Sequence, residues 1–184
     1  MIRRAVWEHR EQKLSESCLI NTEYGISGKG YIVCTYKNAP FGMRYEFLSD
    51  FSLQRLIFRA ELHKEDRSAR LFLGMTDGSL YGHIDGKPVE GIKGLDSIDL
   101  SSSLFPKFII ARKFSTEQTE RRSFGVLHID LPSLKIGRLT LEVSRLDRHR
   151  YLLEKSDQSG GKILETSSHG IPLSLDGWLS ADFQ

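Results

Sequence analysis

Hydrophobic and polar residues alternate with a period of two through much of the chain. Met43, Tyr45 and Phe47 are separated by Arg44 and Glu46. Leu56, Phe58, Ala60 and Leu62 alternate with Arg55, Ile57, Arg59, Glu61 and His63, and Leu139, Leu141 and Val143 with Thr140, Glu142 and Ser144. Successive side chains of a strand point to opposite faces, so each run predicts a strand with one apolar and one wetted face. Residues 31–36, 70–73, 125–131 and 151–154 are further strand candidates. Turn signals separate these runs: Tyr24-Gly25, Asn38 to Pro40, Asp77-Gly78, Asp85-Gly86, Pro132-Ser133, Ser159 to Gly161 and Asp176-Gly177. Many short strands punctuated in this way predict a mainly β protein, with an antiparallel sheet running largely as one meander.

One segment breaks the period. Ser101–Ser103 offer capping hydroxyls, Pro106 suits a first helical turn, and Phe105, Phe108, Ile109 and Arg112 fall at helical spacing. This predicts a helix near residues 103–113. A buried strand is the alternative, because Ile and Phe favour sheets. No repeat of fixed period and no long linker interrupts the chain, and charge blocks stop at Glu65-Asp66-Arg67 and Glu120-Arg121-Arg122. Residues 1–184 therefore read as a single domain.

Composition narrows the picture without naming a function. The 184 residues are 39% hydrophobic, 27% charged and 10% aromatic, the proportions of a soluble globular domain. Lys and Arg number 26 against 24 Asp and Glu, and a surplus that small gives no electrostatic case for nucleic acid. The Met1-Ile-Arg-Arg start is followed at once by Glu8, His9 and Arg10, leaving no apolar stretch for a signal peptide. No window approaches the roughly 20 apolar residues of a membrane helix. The expectation is a cytoplasmic protein without a membrane span. Cys18 and Cys34 lack metal-ligand spacing and read as small internal thiols.

Candidate chemistry is sparse. Gly28-Lys29-Gly30 lacks the rest of a phosphate loop and reads as a hairpin glycine pair. The six histidines show neither HxH nor HExxH spacing, and no GxSxG elbow is present. Neither a metal nor a cofactor is expected, and no catalytic residue is assigned. Arg145-Leu-Asp-Arg-His-Arg150 contains an aspartate and reads as a solvated turn. Asp96 and Asp99 are three apart, so a strand would send them to opposite faces while a turn or bulge could bring them together. Paired carboxylates in a pocket hold sugar hydroxyls or act as acid and base.

Several stretches, in order, resemble the bacterial domain-of-unknown-function family described as glycolipid-binding. These are Arg3-Arg4-Ala5-Val6-Trp7, Tyr45 to Asp50 followed by Leu53 to Leu56, Asp85-Gly86-Lys87-Pro88, and Gly94 to Leu100 with Asp99 on the family's second aspartate. The basic pair Arg112-Lys113, the step Ile129 to Leu134, and the ending Gly170-Ile171 to Gly177-Trp178 complete the likeness. The family's Thr-Pro-x-Thr-Asn run is replaced by residues 103–110, and its Gln-x-Tyr by Val143-Ser144-Arg145. The resemblance implies a many-stranded sheet curled around a single helix, a homodimer, and a distant likeness to lipoprotein carriers. It also implies an acidic pocket for a sugar or lipid headgroup. On that basis the candidate ligand-binding residues are Trp7, Tyr45, Asp50, Arg55, Asp96, Asp99 and Arg112, with Trp178 a further stacking candidate. At least two of the three aspartates are expected to approach one cavity, with Arg55 or Arg112 nearby. The leading reading is a non-enzymatic binder of a glycolipid or other amphiphile. The alternatives are a carboxylate-dependent enzyme acting on a sugar or lipid, and a structural dimerising domain.

Overall fold

The computed structural model describes residues 2–9, 11–36, 39–65, 67–115, 119–156 and 160–183. Of the positions read in the sequence, Met1, Arg10, Asn38, Asp66 and Ser159 lie outside them. Fifteen strands and one helix follow in order: β1 (Ile2–His9), β2 (Leu14–Asn21), β3 (Ile26–Tyr36), β4 (Ala39–Ser49), β5 (Arg55–Lys64), β6 (Arg67–Thr76), β7 (Ser79–Ile84), β8 (Lys87–Ile92), β9 (Ser97–Leu100), α1 (Phe105–Ser115), β10 (Arg121–Ile129), β11 (Ile136–Arg145), β12 (Arg150–Lys155), β13 (Lys162–Thr166), β14 (Pro172–Leu175) and β15 (Trp178–Phe183).

All fifteen strands form one sheet, in which β1–β8 meander in one direction and β15–β10 in the other from a central β1–β15 pair. The terminal strands of the sheet are β8 and β9, and only residues 93–96 separate them in sequence. That short link curls the sheet, which stays open rather than closing into a barrel. Leu95 N–H donates to the Gly78 carbonyl at 3.1 Å and Asp96 N–H to the Gly125 carbonyl at 2.6 Å, so the link pins both halves. Asp77-Gly78, Asp85-Gly86 and Asp176-Gly177 each form a two-residue hairpin loop with φ positive at both positions, as the mirror-image turns of twisted hairpins require.

The alternation places the core. Phe41, Met43, Tyr45 and Phe47 of β4 are buried, as are Leu56, Phe58, Ala60 and Leu62 of β5, and all face the inside of the curl. β9 departs from the antiparallel pattern by pairing with β10 in parallel. A parallel neighbour needs a crossover, and α1 is that crossover, threaded through the interior. Phe105, Pro106, Lys107, Phe108, Ile109, Ile110, Ala111 and Phe114 of this helix are buried. A helix buried all round carries apolar groups on every side, which blurred its spacing in the sequence and moved its limits from 103–113 to 105–115.

Gly28 and Gly30 correct the reading of a hairpin pair: they lie inside β3. A Cβ on Gly28 would collide with the Phe105 ring of α1, and one on Gly30 with the Tyr45 ring. Their missing side chains give the helix and the aromatic layer room against the sheet. Cys18 and Cys34 are buried, unpaired thiols, and burial pushes both of them up. The Arg145–Arg150 tract is the β11–β12 turn, where Asp147 accepts from the His149 and Arg150 N–H groups at 2.9 Å.

Candidate functional site

The outer face of the sheet carries a cleft of about 420 Å³ between the β2–β3 loop, the β4–β5 turn and β7. Asp50 knits the β4–β5 turn: its Oδ1 accepts from Gln54 N–H at 3.1 Å and Arg55 N–H at 3.4 Å. Ser49 Oγ donates to the Arg55 carbonyl at 2.6 Å. The turn so fixed presents Asp50 and Arg55 in the cleft, with Asn21 at the end of β2. Leu48, Ile57 and Met75 supply an apolar floor. The Tyr81 ring lies over Gly74, where a Cβ would collide with it, and Tyr81 is 46% exposed. Apolar floor, aromatic plate and a few convergent polar groups are the make-up of a small-ligand site.

The structure brings Asp50 and Arg55 together in this cleft and places the other candidates elsewhere. Trp7 is fully buried, its indole N–H donating to the Pro172 carbonyl at 2.7 Å. Tyr45 is buried and donates to Glu16 Oε1 at 2.6 Å. Trp178 is buried, with the His9 ring edge-on to it. Arg112 is half-buried on the last turn of α1. Asp96 and Asp99 are tied to opposite ends of the helix. Asp96 Oδ1 pairs with Lys113 at 3.1 Å and Arg122 at 2.9 Å, while its Oδ2 accepts from Gly125 N–H. Asp99 pairs with Lys107, with His128 Nδ1 at 2.9 Å and with Lys155 at 3.2 Å.

Burial alone would raise the Asp99 carboxyl. The charges of Lys107 and Lys155 and the His128 hydrogen bond more than reverse it, holding Asp99 well below the usual carboxylate range. Burial lowers Lys107, and Asp99 only partly restores it. Each aspartate is therefore matched or outnumbered by cations, which makes these interior positions structural in character.

Glu16 was not singled out in the sequence, yet it is a fully buried carboxylate that accepts three hydrogen bonds. Besides Tyr45, Ser103 Oγ donates to Oε1 and the Leu104 N–H to Oε2, both at 2.6 Å. Leu104 opens the first turn of α1, so a strand carboxylate caps the buried helix, satisfying a donor that helix starts leave open. Burial pushes the Glu16 carboxyl up, against those three donors and Lys107. The signal was present: Glu16 occupies the apolar phase of Leu14, Cys18 and Ile20.

A curled sheet wrapped on one helix defines a β-barrel-like fold. The chain belongs to the family described as "Putative glycolipid-binding", which matches residues 4–179. Its fold is similar to the crystal structure of a DUF1089 family protein from Pseudomonas aeruginosa, with TM-score 0.73 and 20% identity over 89% of each chain. It is also similar to a β-barrel-like protein of the domain of unknown function DUF1849 from Brucella abortus. That likeness has TM-score 0.62 and 9% identity over 100% of this chain and 97% of the other. No curated protein matches the chain in sequence. Among the described residues, no helix is long and apolar enough to cross a membrane.

Proposed function

We propose that the chain is a non-enzymatic binding protein for a glycolipid or another amphiphile, with the headgroup seated in the outer cleft. The observation that carries this reading is the juxtaposition in one cleft of Tyr81, Asp50 and Arg55 over an apolar floor. The Arg55 guanidinium makes no hydrogen bond or ion pair with the described residues, so it is available to a ligand. A sugar ring stacks its C–H face on Tyr81, Asp50 Oδ2 accepts from its hydroxyls and Arg55 donates to its oxygens. An attached acyl chain runs over Leu48 and Ile57. The clamped states of Asp96 and Asp99 favour binding over carboxylate acid–base chemistry.

In this reading the protein is a cytoplasmic homodimer, joined along β8, a terminal strand of the sheet. Sedimentation tests that assembly, and a monomer of 21.0 kDa at micromolar concentration rejects it. The binding test is calorimetric titration with soluble alkyl glycosides. Tyr81→Ala and Arg55→Gln should each weaken binding about tenfold, with the melting temperature retained. Absence of glycoside binding by the parent protein, or unchanged affinity in both variants, rejects the cleft as the site.

A further inference from the structure

The outer face of β2–β7 has a composition that headgroup binding does not need. Its cross-strand ladder carries Lys29, Arg44, Arg59 and Arg70 against Glu46 and Glu61, four minus two, or two positive charges in excess, while Arg55 and Asp50 offset each other in the cleft. The whole chain carries only +2, so this face holds the entire excess and the remainder is neutral. Both glutamates are already engaged. Glu46 bridges Lys29 at 3.0 Å and Arg59 at 3.8 Å, and Glu61 bridges Arg44 at 2.5 Å and Arg70 at 3.4 Å. Between the cations stand apolar groups in water: Leu19 is 54% exposed, Tyr31 48%, Val33 54% and Phe72 38%.

We propose that this face docks the protein on an anionic lipid membrane. Cations interleaved with aliphatic and aromatic side chains match the interface, where phosphates meet the first methylenes. Leu19 and Val33 offer nothing to a phosphodiester backbone, which argues against nucleic acid. A second copy of the chain is disfavoured, because a two-fold contact would set an excess of two positive charges against itself. The outer cleft opens on the same face through Leu48, Ile57 and Tyr81, so docking would bring it to the lipid surface. The inference stands apart from the headgroup reading, and its test uses membranes without glycolipid.

The test is sedimentation with vesicles of phosphatidylcholine containing about one-third phosphatidylglycerol, beside vesicles of phosphatidylcholine alone. Binding is expected only to the anionic vesicles and should weaken steeply with salt. Lys29 and Arg70 have the most exposed side chains of the charge ladder, 71% and 85%, and Lys29→Gln with Arg70→Gln should weaken binding roughly 25-fold, about fivefold for each cation. Arg121→Gln, on the other half of the sheet, should leave binding unchanged. Equal binding to both vesicles, no binding to either, or an equal loss in Arg121→Gln overturns the proposal. So does a Lys29→Gln/Arg70→Gln variant that alters the oligomeric state and not vesicle binding.

Discussion

Apart from the buried Glu16 of β2, strands β2–β7 hold their paired charges on the outer face, where Lys29, Arg44, Glu46, Arg59, Glu61 and Arg70 form cross-strand ladders in water. Across the curl, the half built from β9–β12 and α1 has an exposed ladder of its own, Arg121 with Glu142 and Glu154, and also buries charge: Asp99 is 1% exposed and ringed by Lys107, Lys155 and His128. The same chemical pairing has different consequences in the two places. An exposed pair gains little over two hydrated ions, whereas a buried ion stripped of its partner has no water to replace it. The outer charges are thus available for partners, and the inner ones fix where the helix lies.

The largest expected effect breaks the inner network. Asp99→Asn leaves Lys107 and Lys155 facing each other without the countercharge, and should cost about 3–5 kcal/mol in urea unfolding. The same variant discriminates architecture from ligand binding. Retained glycoside affinity with lost stability makes Asp99 architectural; lost affinity with unchanged stability returns it to the site.

Acid sharpens the same contrast. The folded protein holds the Asp99 carboxyl below its ordinary value of 3.8, so its contribution is fully present above that value and is lost as pH falls through the folded one. Stability should therefore decline below about pH 3.8 more steeply in the parent than in Asp99→Asn. Glu16 has the opposite sign: its raised value favours the fold at low pH, and that contribution is lost as pH rises through it. Melting curves across the acid range read both.

Glu16 itself gives the next effect. Glu16→Gln replaces an acceptor oxygen with an amide donor facing Tyr45, Ser103 or Leu104, which should cost about 1–3 kcal/mol. Tyr45→Phe removes one donor from the same carboxylate and should cost about 1 kcal/mol, read by the same unfolding measurement.

These residues also show what the sequence made legible. The strands with strict alternation, β4, β5 and β11, and the three Asp-Gly turns follow from local chemistry and are present as read. β9 was not legible as a strand: all four of its residues are buried, so no wetted face marks it. Asp50 and Arg55 meet because one turn holds both. Asp96 and Asp99 separate because each is bound to a cation from another element. Lys107, His128 and Lys155 converge from α1, β10 and β12, a juxtaposition that exists only after the curl closes on the helix. The two strand residues share a mark, a polar side chain in the apolar phase: His128 follows Phe124 and Val126, and Lys155 follows Tyr151 and Leu153. The same mark identifies Glu16.

The smallest stability effect belongs on the outer ladder and tests the comparison from its other side. Glu46 holds Lys29 at 3.0 Å and Arg59 at 3.8 Å, but the two cations are 71% and 57% exposed, so water competes for every partner. Glu46→Gln should change stability by no more than about 0.5 kcal/mol, and salt should erase even that. The substitution also raises the excess charge of the face by one, which should tighten anionic-vesicle binding about fivefold. A destabilisation approaching that of Asp99→Asn would mean that the two faces are not energetically distinct. A small change in stability with tighter vesicle binding would place the function of these charges outside the fold, where a partner reads them.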